Sequence, residues 1–183
     1  MRLLKHHEKK LLKKVDFFSW KEDQNIRESK VIQRYHLQDR EDYINYNRVA
    51  GSITKLISKL KSLPIDDPLR HQVSTQLLEK LYNMGIISKQ SSLLAVEKVS
   101  VSSFCRRRLA VVMVRLKMSE TLKEAITLIE QGHIRVGPNI ITDPSFLVTR
   151  TFEDYVTWVD SSKIKRTIMR YNDKLDDFEL LGN

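Results

Sequence analysis

Apolar positions recur at intervals of three and four through most of this chain, and the interval changes to two only once. From Arg40 to Leu63 the residues Tyr46, Val49, Ala50, Ile53, Leu56, Ile57 and Leu60 mark the core face of a long helix ended by Pro64. Asp67-Pro68 starts another, with Val73, Leu77, Leu81 and Met84 on one side and Gly85 as its cap. A serine-rich link, Ser88 to Ser92, and a short apolar segment follow. Leu109, Val112, Met113 and Leu116 then fall at i, i+3, i+4 and i+7, predicting a helix with one face packed inward. Thr121-Leu122-Lys123-Glu124 is a capping box that opens the next helix, with Leu122, Ala125, Ile126 and Ile129 as its apolar stripe and Gly132 at its end. Here the period changes. His133-Ile134-Arg135-Val136 alternates like a half-buried strand, and the turn residues Gly137-Pro138-Asn139 lead to a second apolar pair, Ile140-Ile141. The expected class is therefore α+β, a helical N-terminal half packed on a module of two helices plus a small sheet.

Charge adds a partner to this picture. Arg106-Arg107-Arg108 stand at the start of the helix marked by Leu109, with no acidic residue until Glu120, and Arg108 and Arg115, seven apart, share a face. The pattern reads as a free cationic edge, removable with little loss of folding. A formal charge of +9 over 183 residues favours a polyanion, because bound Lys and Arg release counterions condensed on nucleic-acid phosphates. A membrane surface is the rival polyanion. Against it, the longest apolar run is Leu109 to Val114, far short of the roughly 20 residues of a membrane span. The basic start MRLLKHHEKKLLKKVDFF has no apolar stretch of the secretory kind. Residues 1–30 combine Leu and Lys with Phe17, Phe18 and Trp20, and read either as an amphipathic helix lying on the protein or as a basic arm among RNA or protein partners.

Other chemistry is sparse. The single cysteine, Cys105, reads as a small packing residue at a helix start. His6, His7 and Glu8 lack a second ligand cluster, so no metal or other cofactor is expected. Gly-rich phosphate loops and the common hydrolase motifs are missing, which points away from an enzyme. Asp66-Asp67 reads as a helix-start device and Asp176-Asp177 as part of a solvated tail. The tyrosines of the long helix read as packed side chains, not as base-stacking platforms.

The segment RRRLAVVMVRLKM followed by TLKEAITLIEQGHIRVGPNII resembles the S-four RNA-binding domain over roughly residues 100–160. By that resemblance the two helices and the turn after them form a basic surface for folded RNA. The implied RNA-binding residues are Arg106, Arg107, Arg108, Arg115 and Lys117 on and after the first helix, Lys123 at the start of the second, and His133 and Arg135 on the strand. Many members carry arginine in the first turn of the second helix, where this chain has Leu122, and Lys123 is the substitute. The order YHLQDREDYINYNRVAGSITKL, then DPLRHQVSTQLLEKLYNMGII, is similar to the eukaryotic small-subunit ribosomal protein of the S-four family. Both ends, LKHHEKKLLKKVDFFSWK and EDYVTWVDSSKIKRTIMRYNDKLDDFE, resemble instead its nucleolar relatives, the Imp-three family of the U-three small nucleolar ribonucleoprotein.

That resemblance implies a nuclear, nucleolar protein without catalytic activity of its own, acting in the small-subunit processome. Its implied partners are U-three small nucleolar RNA, precursor ribosomal RNA and M-phase phosphoprotein ten, with no membrane. Its implied task is to promote pairing of the two RNAs for ribosomal RNA processing. The resulting division is a basic arm at 1–30, a helical region at 31–99, the S-four domain at 100–160 and a basic, then acidic, extension at 161–183. A small-subunit ribosomal protein and a plain protein-interaction scaffold are the alternatives. An RNA-modifying enzyme with an S-four appendage would need a catalytic domain for which few residues remain.

Overall fold

The structure, a computed structural model, describes the backbone of residues 2–14, 19–90 and 92–173 and the side chains of 2–13, 26–90 and 92–173. The side chains of Phe17, Phe18 and Trp20, the pair Asp176-Asp177 and the acidic end beyond Asp173 lie outside that description.

Two helices, α1 (His6–Lys14) and α2 (Ser19–Tyr35), precede the long helix α3 (Arg40–Ser62) and its neighbour α4 (Pro68–Asn83). The sequence signals at α4 work as read. The Asp67 side chain accepts from the Leu69 N–H at 2.9 Å and Pro68 occupies the first turn, where no N–H is needed. At its other end Gly85 has φ of +73°, and the N–H groups of Gly85 and Ile86 close back on the carbonyls of Tyr82 and Leu81 at 2.8 and 3.0 Å. This paired closure satisfies carbonyls that the helix end leaves open. On α3 the stripe is narrower than its apolar residues suggest. Ala50, Ile57 and Leu60 are buried, but Val49 and Leu56 are 46% and 36% exposed, because neighbours cover one side of the helix only.

Short helices α5 (Leu93–Glu97) and α6 (Val101–Cys105) carry the chain to α7 (Leu109–Arg115) and α8 (Leu122–Glu130). A three-stranded antiparallel sheet follows, β1 (Ile134–Val136), β2 (Asn139–Ile140) and β3 (Val156–Trp158), in the order β2-β1-β3. Gly137, with φ of +60°, opens the two-residue turn that pairs Val136 with Asn139. Helix α9 (Lys163–Tyr171), capped by Ser162, is the last described element. The mixed helix-and-sheet class is as expected, although the third strand was not foreseen.

Each face of α7 serves a different core. Leu109, Val112 and Met113 are wholly buried with Ala125 and Ile129 of α8 and with Ile134, Val136, Val148 and Val156 around the sheet. Val111, on the other side, packs against Tyr35, Leu37, Val101 and Cys105 of the helical half. Leu116 departs from the inward face expected of it. The helix stops at Arg115, the chain turns left-handed at Lys117 with φ of +59°, and Leu116 is left 39% exposed. A third cluster, Ile57, Leu81, Ile87 and Val96, joins α3, α4 and α5. Tyr46 stacks on Phe104 with centroids 5.8 Å apart, so this tyrosine packs as expected. Cys105 is fully buried, and desolvation pushes its thiol up to about 11, which fits a packing role.

The arginine run corrects the sequence reading most. It does not lie along a helix edge. Arg106 ends α6, Arg107 fills the turn, and Arg108 precedes α7 in extended conformation. Arg107 and Arg108 are 5% and 2% exposed. Arg108 donates to Asp42 of α3 at 2.5 Å, to the Tyr46 hydroxyl at 3.4 Å and to Ser145 Oγ at 3.2 Å, while Ser145 Oγ itself donates to Asp42 at 2.8 Å. Arg107 donates twice to the Val148 carbonyl, at 2.9 and 2.7 Å, and once to Glu153 at 2.9 Å. Gly85 lies against this guanidinium so closely that an added Cβ would sit 2.7 Å from the Arg107 carbon Cζ. Nor do Arg108 and Arg115 share a face: Arg115 meets Glu153, the partner of Arg107.

Two stability predictions follow from this packing, both read by chemical denaturation. Met113→Ala should cost about 2 to 5 kcal/mol, as large-to-small changes in packed cores do. Leu116→Ala should cost no more than about 1 kcal/mol, because its side chain is already partly in water. Arg108→Ala or Asp42→Ala should cost about 3 to 5 kcal/mol by stranding the other charge, whereas Arg106→Ala should change stability by about 0.5 kcal/mol or less.

Candidate nucleic-acid interface

The eight basic residues singled out in the sequence fall into four settings. Arg107 and Arg108 are the buried pair just described. Arg106, Arg115 and the hidden Arg107 line one cleft of about 460 Å³, together with Gly85, Arg150 and Glu153. Arg106 is exposed, and its side chain makes no hydrogen bond or ion pair among the described residues. Arg115, with half its side chain exposed, donates to one oxygen of Glu153 while Arg107 donates to the other. Burial pushes the Glu153 carboxyl up, but hydrogen bonds and charge from Arg107 and Arg115 outweigh it and hold the pKa below the ordinary glutamate value.

Arg150 was missed in the sequence, and it completes this cleft. Its guanidinium donates to the carbonyls of Tyr82 and Ile87 at 3.3 and 3.1 Å and lies 4.0 Å over the Tyr82 ring. These carbonyls sit at and beyond the C-terminal end of α4, where a cation is favoured. The segment around Arg150 has neither helical nor strand periodicity, so no local signal marked it. Glu153 gave no signal for the same reason.

His133 and Arg135 belong to a separate cluster on the sheet. Arg135 donates to Thr157 Oγ1 at 3.1 Å and to Asp160 at 2.7 Å, and Lys165 of α9 donates to the other Asp160 oxygen at 2.6 Å. The hydrogen bond from Lys165 is the main reason that the Asp160 carboxyl lies below its usual range, with Arg135 contributing. His133 Nδ1 and Ser162 Oγ are 3.0 Å apart, which fixes the ring beside the start of α9.

Lys117 and Lys123 form the fourth setting, exposed on the turn between α7 and α8 and in the first turn of α8. At Lys117 the chain makes the same left-handed closure as at the end of α4: the N–H groups of Lys117 and Met118 donate to the carbonyls of Val114 and Met113 at 3.1 and 3.0 Å. Glycine would be favoured there. A lysine held in that conformation costs on the order of 1 kcal/mol. At the starts of α7 and α8 the protein itself takes up some of the backbone donors. Leu109 N–H goes to the Phe146 carbonyl at 2.8 Å, Glu124 N–H to Thr121 Oγ1 at 3.2 Å and Glu120 N–H to the Glu124 carboxylate at 3.2 Å. The Thr121 cap therefore forms as read, with Glu124 reaching the residue before it.

Chemically, this surface can hold anions by side chain. Exposed cations stand in two places, Arg106 and Arg115 at the cleft and Lys117 and Lys123 on and after a turn whose backbone is held by two hydrogen bonds. Among the described residues no group of His, Cys, Asp and Glu is arranged to hold a metal, and no helix is long and apolar enough to cross a membrane.

Two family models match the chain in succession. Residues 3–106 match the family described as Ribosomal protein S4/S9 N-terminal domain, and residues 107–153 match the S4 domain. The chain is 57% identical over 180 residues to U3 small nucleolar ribonucleoprotein protein IMP3 of Saccharomyces cerevisiae, covering 98% of both chains. It is 50% identical over 181 residues to the protein of the same name from Homo sapiens, again covering 98% of both. To small ribosomal subunit protein uS4 of Picrophilus torridus it is 24% identical over 144 residues, covering 78% of this chain and 79% of that one. With a helical half tied by buried arginines to an S4 domain, and near end-to-end likeness at these identities, the chain belongs to the IMP3 family of S4-domain proteins.

Proposed function

We propose that this protein is an RNA-binding component of the U3 small nucleolar ribonucleoprotein that promotes or stabilises pairing of U3 RNA with precursor ribosomal RNA. The observation that carries the reading is the full-length likeness to proteins named as components of that particle. Nucleolar location, membership of the small-subunit processome and contact with M-phase phosphoprotein ten belong to the same reading, as does a role without catalysis. The RNA surface is centred on the α7–α8 turn, with Arg106, Arg115, Lys117 and Lys123 facing phosphates and with His133 and Arg135 extending it along the sheet. Arg107 and Arg108 support this surface from beneath.

Physics favours phosphate contact over base reading. A-form RNA hides its major-groove edges, so a rigid basic surface recognises shape and backbone and leaves sequence to base pairing. Two RNA strands approaching each other repel, and fixed cations offset that repulsion.

Affinity for a short U3–precursor RNA pair should fall steeply with salt: for about six contacted phosphates, log K against log salt slopes at roughly −4 to −5. Lys117→Ala and Lys123→Ala should each make the slope shallower by about one without shifting the unfolding transition. Unchanged slopes would place the RNA elsewhere. The pairing role is tested by annealing kinetics at physiological salt, against a ribosomal S4-family protein of similar net charge. A greater hybrid stability with this chain, lost on replacing Lys117 and Lys123, is the expected result; equal behaviour would reduce the effect to charge neutralisation. Sedimentation with mature subunits instead of precursor particles would favour a ribosomal protein.

A further inference from the structure

The cleft beneath Arg106 holds four arginines around one carboxylate, and the four are not equivalent. Arg107 is held by the Val148 carbonyl and Glu153, and Arg150 by the carbonyls of Tyr82 and Ile87. Those two are fixed walls. Arg106 is unpaired among the described residues, and Arg115 is half exposed and held only by Glu153. Glu153 is thus the one anion in a cleft whose volume, about 460 Å³, is ample for a phosphate group and its flanking sugars.

Resting on the RNA-binding reading above, we infer that this cleft is a binding site for one backbone phosphate of the RNA, and that Glu153 is an internal anion that competes with that phosphate for Arg115. In the free protein Glu153 holds Arg115 over the cleft with its charge answered. An arriving phosphate accepts hydrogen bonds from Arg115 and Arg106, and Glu153 keeps Arg107, whose place is fixed from behind by Val148. A guanidinium suits this exchange because its planar donors can pair with a carboxylate or a phosphate in the same forked geometry. Competition lowers affinity and makes release easier, a useful property in a protein that brings two RNAs together and must then leave them.

The test is a set of variants of the full-length chain, titrated with one short structured RNA over a range of salt concentrations. Glu153→Gln keeps the size of the side chain and removes its charge, and it should tighten binding by about three- to tenfold. Asp154→Asn, an equal charge change at the exposed neighbouring residue, measures the generic effect and should give a clearly smaller gain. In an Arg115→Ala background, where there is no longer anything to compete for, the gain from Glu153→Gln should fall to that of Asp154→Asn. Equal gains from Glu153→Gln and Asp154→Asn, or a gain undiminished without Arg115, overturn the inference while leaving RNA binding intact. No RNA binding by the unaltered chain overturns both readings. Should Glu153→Gln not fold, Arg106→Ala decides: weaker binding with a slope shallower by about one supports the cleft, and unchanged binding removes it.

Discussion

Burial of two adjacent guanidiniums is the constraint from which the rest of this architecture follows. Arg108 reaches Asp42 and Tyr46 in the helical half and Ser145 after β2, and Arg107 turns to the segment carrying Val148 and Glu153. The backbone between them is also held, with Val148 N–H donating to the Arg107 carbonyl and Leu109 N–H to the Phe146 carbonyl, both at 2.8 Å. A buried charge left unpaired is costly, so this arrangement tolerates few alternatives. Lysine could not substitute: its ammonium lacks the planar spread of donors that lets one side chain meet Asp42, Tyr46 and Ser145 together. The net stability contributed by such a pair is small after desolvation. Its effect on geometry is to tie the start of α7 to Asp42 and Tyr46 of α3.

That fixed docking explains the form of the candidate surface. Arg106, Arg115 and Arg150 come from three places in the chain, yet they line one cleft because Arg107 and Gly85 bring α4, the α6–α7 turn and the Val148–Glu153 segment together. A side chain on Gly85 would collide with Arg107 as well as strain a left-handed backbone. Pre-positioning of this sort lowers the ordering cost that flexible basic tails incur when they bind RNA. Lys117 belongs to the same economy of rigid parts. Its left-handed backbone is held by two hydrogen bonds, so the ammonium projects from a turn with little freedom.

How much of this was legible in the sequence depends on the range of the signal. The elements α3, α4, α7, α8 and the β1–β2 hairpin were readable because caps, turn residues and apolar spacing are local. Leu116 failed because spacing alone cannot see where a helix stops, and Lys117, unlike glycine, does not announce a left-handed turn. The arginines failed for a different reason. Their partners lie 37 to 66 residues away at Ser145, Val148, Glu153 and Asp42, and no periodicity links them. One clue was present. Three cations immediately before an apolar helix sit at the positive end of its dipole, an unfavourable place unless acids or carbonyls are provided for them. Read that way, the run announces buried partners before it announces a surface.

Formal charge is therefore a poor guide to binding charge here. Of the eight basic residues expected at the interface, two are buried and two, Arg115 and Arg135, are paired with Glu153 and Asp160. The excess of +9 persists over the whole molecule, but at a Debye length of about 8 Å a phosphate responds to the groups nearest it. It meets unpaired Arg106 beside a paired Arg115, and Arg135 and Lys165 beside Asp160. Each built-in carboxylate must be outcompeted before its arginine or lysine contributes. A ligand that presents several phosphates at the right spacing can do so at every site together, whereas an isolated anion faces each competitor alone. On the proposed RNA surface, acidic residues among the cations would convert general attraction into a response to the spacing of phosphates along folded RNA.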